Sequence, residues 1–161
     1  MMPHIHVDDA ERRLAEFLAK FTPEIASRAG AIIAAMRERL PGAVIPVYDN
    51  YNALAVGFGP TDRVSDVIFS IAVFPRWVSL FFFRGVTLDD PKRLLRGSGN
   101  QVRHIVVPGP EALSDPDISA LMEAALRVAP IRIDPAHPGG VVIKSISARQ
   151  RSRRPQGPTT D

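Results

Sequence analysis

From residue 44 to residue 107 the chain alternates runs of β-branched and aromatic residues with short turns of polar residues, glycine or proline. This alternation constrains the fold more than any other feature. A parallel crossover needs a dozen or more residues, and connections such as residues 49–52 and Pro75-Arg76 are far shorter. The expected strands cover residues 44–48, 53–58, 66–74, 77–84 and 102–107. Those before residue 85 must then pair as an antiparallel meander. In the second run Leu54, Val56 and Phe58 fall on one face, and Ala53, Ala55 and Gly57 on the other. The bare face permits close approach by a neighbouring backbone or by a ligand.

Three segments carry helical periodicity. Leu14, Phe17, Leu18 and Phe21 form the first stripe, with Asp8 and Glu11 spaced as a capping box. Ile25, Ala29, Ile32, Ile33, Met36 and Leu40 form the second, with Thr22 as N-cap, Pro23 in the first turn and Pro41-Gly42 as stop. Ile118, Leu121, Met122, Ala125 and Ala129 form the third, entered through Asp115-Pro116. A short helical turn is expected over residues 91–96, between Asp90 and Gly97. One-sided stripes cover a sheet rather than being engulfed. The expected fold is therefore α+β: a two-layer sandwich of a five-stranded antiparallel sheet, with two N-terminal helices and one C-terminal helix on one face.

At 161 residues a single domain is expected, over residues 8–130. Residues 131–161 read as a proline-containing, basic tail, largely disordered apart from a short strand over 141–146. The chain has no cysteine, which excludes disulfides and thiol chemistry and suits a reducing compartment. The N-terminus is polar and acidic around Asp8, Asp9 and Glu11, unlike a signal peptide, and no apolar run is long enough to span a bilayer. A cytoplasmic location without membrane association is the expectation.

The formal net charge of +3 belongs to the tail. Residues 141–161 hold Lys144, Arg149, Arg151, Arg153 and Arg154 against Asp161, a net +4, and the preceding 140 residues carry a net −1. Any nucleic-acid binding is therefore expected from Lys144, Arg149, Arg151, Arg153 and Arg154 alone, through phosphate contacts. A basic tail without interleaved aromatics is also what a solvated, solubilising end looks like.

Alternate turns of a meander fall at the same end of the sheet, so the 49–52 turn and the Pro75-Arg76 turn should lie about two strand spacings, ~10 Å, apart. Tyr48, Asp49, Asn50, Tyr51, Arg76 and Trp77 are the candidate ligand-binding residues, since together they offer a carboxylate, amides, a guanidinium and ring faces. The same residue types also form turns with no ligand present. Arg96-Gly97-Ser98-Gly99-Asn100 lacks the spacing and lysine of a phosphate loop and precedes a strand, so it reads as a turn. His104 reads as a sheet histidine. His4 and His6 form an H-x-H pair, but no spacing matches a zinc or iron ligand set, and no hydrolase motif is present.

The blocks YDNYNALAVGFGP, IFSIAVFPRWVSLFFF and DPKRLLRGSGNQVRHI resemble the YdhG-like family, also called domain of unknown function 1801. The resemblance covers roughly residues 14–129 and extends weakly to VVIKSISARQRSRRP. It implies a frataxin-like fold and, from relatives described as iron chaperones, an accessory rather than enzymatic role. Frataxin-type iron binding uses an acidic ridge on the first helix. Here Asp8, Asp9, Glu11 and Glu16 are mixed with Arg12 and Arg13. The leading expectation is a non-enzymatic domain binding a small ligand or metal ion. The alternative is an interaction module whose tail docks nucleic acid or an acidic protein.

Overall fold

The computed structural model describes residues 2–155, with side chains from residue 9 onward. The elements run α1 (Met2–Leu18), α2 (Pro23–Arg39), β1 (Val44–Asp49), β2 (Leu54–Phe58), β3 (Phe69–Val73), β4 (Val78–Phe82), β5 (Arg103–Val106), α3 (Pro116–Val128) and β6 (Gly140–Ile146). Thr22 caps α2 by accepting from the Ile25 N–H at 3.3 Å, and Asp115 caps α3 through the N–H groups of Asp117 and Ile118. Helix α1 starts well before Asp8, so that residue is an interior position rather than the expected cap. Pro3 falls in the first turn, where a missing N–H costs nothing. The stretch after Asp90 is not helical. The Asp90 carboxylate accepts from the N–H groups of Leu94 and Leu95, and Arg93 takes a positive φ of 53°.

The sheet has six strands, in the order β5-β4-β3-β2-β1-β6. The meander β1 to β5 is antiparallel throughout; the short connections demand this for β1 to β4, and β5 joins β4 antiparallel after a longer connection. The sixth strand corrects the expectation of five antiparallel strands. It pairs parallel to β1, from Val44↔Gly140 to Asp49↔Ile146. The chain between β5 and β6 contains α3, long enough for the crossover that a parallel pair needs. Entry to β6 requires glycine: Gly139 and Gly140 have φ of 63° and 114°, and a Cβ on Gly139 would collide with the Ala43 carbonyl. The segment expected to be a largely disordered tail therefore belongs to the folded unit through residue 155, and only residues 156–161, Asp161 among them, lie outside the described residues.

One alternation set supplies the core. Ile45, Val47, Leu54, Val56, Phe58, Phe69, Ile71, Val73, Val78, Leu80, Phe82 and Ile105 all point to the side where the stripes of α1, α2 and α3 pack. Leu54, Phe69, Ile71, Leu80 and Ile32 have no solvent exposure and Leu121 is buried. On the opposite face the bare position Gly57 is approached by a neighbour, Pro46, whose ring lies 3.2 Å from where a Cβ would sit. Pro46 has no N–H to donate, and the β1–β2 pairing is interrupted there between Val44↔Gly59 and Val47↔Val56. No helix among the described residues is long and apolar enough to cross a membrane.

Candidate ligand-binding site

The end of the sheet where β1 meets β2 and β3 meets β4 is built around a buried charge. Asp49 closes the core-facing series Ile45, Val47, Asp49 and has no solvent exposure. A carboxylate there needs cations, and two reach it. Lys20 Nζ, from the α1–α2 connection, donates to Oδ2 at 2.7 Å, and Arg153 Nη2 donates to Oδ1 at 2.8 Å. The Arg153 side chain is only 3% exposed, lies over the Phe21 ring, and also donates to the carbonyls of Asn50 and Tyr51. Its Nε has no partner among the described residues. Burial pushes the Asp49 carboxyl up. Hydrogen bonds from Lys20, Gln150 and Arg153, together with the Lys20 charge, outweigh burial and hold it below the usual carboxylate range.

The same residues tie the chain end to the sheet. Ser147 N–H and Gln150 Nε2 both donate to the Asp49 carbonyl, and Arg151 N–H donates to the Tyr51 carbonyl at 2.9 Å. With Arg153 turned inward, its neighbours turn out. Arg151, Ser152 and Arg154 form one wall of an open groove of about 770 Å³, and Asn52, Arg76 and Trp77 form the facing wall. Trp77 stacks on Phe74 with ring centroids 4.7 Å apart, and is 42% exposed. Arg151 sits 5.9 Å above the ring of Tyr51, itself largely exposed. Arg154 is held by its Nε–H, which donates to the Lys20 carbonyl. Arg76, Arg151 and Arg154 are exposed and have no carboxylate partner among the described residues.

The two turns do converge: Asn52 from one and Arg76 and Trp77 from the other line the same groove. Of the expected ligand-binding residues, four do not line it, among them Tyr51, whose ring lies under Arg151 instead. Asp49 is consumed in the ion pair. Asn50 is exposed and offers its carbonyl to Arg153. Tyr48 is half-buried on the helix-free face, beside Ala55. The basic tail also divides: Lys144 pairs with Asp62 at 3.3 Å, Arg153 is internal, Arg149 is exposed outside the groove, and Arg151 and Arg154 line it. Lys20, Gln150 and Phe74 were not legible as parts of this corner. Only Asp49 carried a signal, since its place two residues beyond Val47 put a carboxylate on the core face.

The other candidates are structural. His104 stacks on Phe81 at 4.9 Å and exchanges backbone hydrogen bonds with Arg96, so the glycine-rich loop folds back on β5 as a turn. The side chains of His4 and His6 lie outside the described residues. Among the described residues no group of three or more His, Asp or Glu is arranged to hold a metal ion. Compared with known proteins, the chain matches no family model, no curated protein and no solved structure.

Proposed function

We propose that this chain is a non-enzymatic accessory domain that binds a small anionic ligand with a planar part in the groove between Trp77 and the 151–154 segment. The observation that carries this reading is the junction of three exposed guanidinium groups, none with a carboxylate partner among the described residues, with a stacked, half-exposed indole on a single concave surface. Guanidinium groups take phosphate or carboxylate in paired hydrogen bonds, and the ring face takes a planar body. Asn52 adds an amide that can donate or accept. A volume of about 770 Å³ suits a ligand of this size. The YdhG-like resemblance, with its implied accessory role, agrees with binding rather than catalysis.

Trp77 is the only tryptophan, so its emission reports on the groove directly. Inorganic phosphate, mononucleotides and aromatic carboxylates should be titrated against the full chain. A nucleotide or aromatic carboxylate is expected to quench Trp77 and raise the unfolding midpoint, and Arg76→Gln should weaken both effects. If no anion in the panel alters emission or midpoint, the groove is not a ligand site and the reading fails.

A further inference from the structure

Resting on that reading of the groove, we infer that its natural occupant is a segment of single-stranded nucleic acid rather than a free nucleotide. The argument begins with counting. One nucleotide presents one base to stack and one phosphate position to neutralise. The sheet end presents two exposed rings: Trp77, backed by Phe74, lines the groove with Arg76, Arg151 and Arg154, and Tyr51, just outside that lining, is joined to it by Arg151, 5.9 Å above its ring. Aromatic platforms alternating with cations along an open surface are what a strand needs, because every base has a face to stack and every linkage carries a charge.

The surface also continues. Arg76 and Pro155 border a second cavity of about 340 Å³ next to the first, so a chain leaving the groove has somewhere to run. Glu24 lies there, 3.6 Å from Arg28 and thus offset in charge. Charge complementarity points the same way, since these guanidinium groups, without a carboxylate partner among the described residues, stand at one end of an otherwise near-neutral body. The sequence shows a basic tail without aromatics among its cations. The fold supplies the missing aromatics from the β1–β2 and β3–β4 turns.

The test is fluorescence anisotropy with a short labelled oligothymidylate on the full chain, beside thymidine monophosphate, a duplex of equal length and a polyglutamate peptide. The single strand is expected to bind well above the monophosphate and to quench Trp77. With three phosphates neutralised at about −0.7 each, the log–log salt slope should be about −2, so a roughly fourfold rise in salt weakens binding about twentyfold. Arg151→Gln and Arg154→Gln should each flatten the slope by about 0.7. Trp77→Ala should weaken binding about fivefold or more, with Trp77→Phe close to wild type. Unfolding midpoints near that of the wild type establish that these exposed-site variants are folded.

Monophosphate binding as tight as the strand would overturn this inference and leave the small-ligand reading standing. Absence of binding in every arm would overturn both. Equal affinity for duplex or polyglutamate, without quenching, would show a general polyanion surface and overturn the stacking argument.

Discussion

Replacing Asp49 by Ala tests the corner on which the site depends. The carboxylate has no solvent exposure and is shared by Lys20 and Arg153. Without it the Arg153 guanidinium keeps its charge in the interior, with only the carbonyls of Asn50 and Tyr51 as partners. Removing one member of a buried pair costs about 3–5 kcal/mol, most of it the uncompensated charge. Lys20 contributes little to that figure. Its side chain is 41% exposed and returns to water, so Lys20→Ala should cost less than about 1 kcal/mol. The double replacement Asp49→Leu, Arg153→Met removes both charges and should recover most of the loss. Urea unfolding followed by Trp77 emission gives each value. An Asp49→Ala cost below about 1 kcal/mol, or a double variant as unstable as the single, would refute the buried-pair account. The pH dependence has a definite sign. The folded-state pKa of Asp49 is depressed, so its contribution is fully present above about pH 5 and is lost as the pH falls through the folded value, below 3.8. Asp49→Leu in the double variant should lack that acid-side slope.

Two further outcomes follow from the packing. Leu54→Ala, at a core position with no exposure, should cost about 2–5 kcal/mol in the same denaturation assay, and a cost under about 1 kcal/mol would contradict the placement of β2 over the helices. Deleting residues 149–161 removes Arg153 along with the groove wall and bares Asp49. A loss of about 3 kcal/mol, or about 6–12 °C in the unfolding midpoint, is expected. An unchanged midpoint would mean that this segment is a free appendage.

The parts of the fold written in local pattern were legible. Stripes recurring at three and four residues gave the three helices, and alternation with short turns gave the meander and its hand-to-hand pairing. The convergence of Asn52 with Arg76 and Trp77 followed from topology alone. What escaped was non-local. Residues 141–146 have the composition of a strand, but nothing local says that they lie beside β1 in parallel. Gly139 is required by its positive φ and its close approach to the Ala43 carbonyl, and Gly140 by its positive φ alone, neither of which local sequence displays. Asp49 read as a turn former because carboxylates favour turns. The series Ile45, Val47, Asp49 pointed instead to a buried carboxylate, and a buried carboxylate requires a cation from elsewhere in the chain. The sequence names no such cation: Arg153 is one of four arginines within six residues, and nothing distinguishes it from its neighbours.

That indistinguishability hides how one short segment both staples the sheet and lines the groove proposed to take a ligand. The chain bends at Arg153 and Arg154, with the Ser152 hydroxyl accepting from the Arg154 N–H, so Arg153 turns inward to Asp49 while Arg151, Ser152 and Arg154 line the groove. The ion pair with Asp49 is therefore a positioning device for groups that never touch it. The same division changes the charge available to a ligand. Of the five tail cations, Lys144 and Arg153 are already paired, and a polyanion at the groove meets Arg151 and Arg154 with Arg76 from the β3–β4 turn. A salt slope nearer −0.7 multiplied by three than by five therefore distinguishes a docked segment from a free basic tail. Neutralising Arg153 should damage stability first, and binding only through the loss of the wall it holds in place.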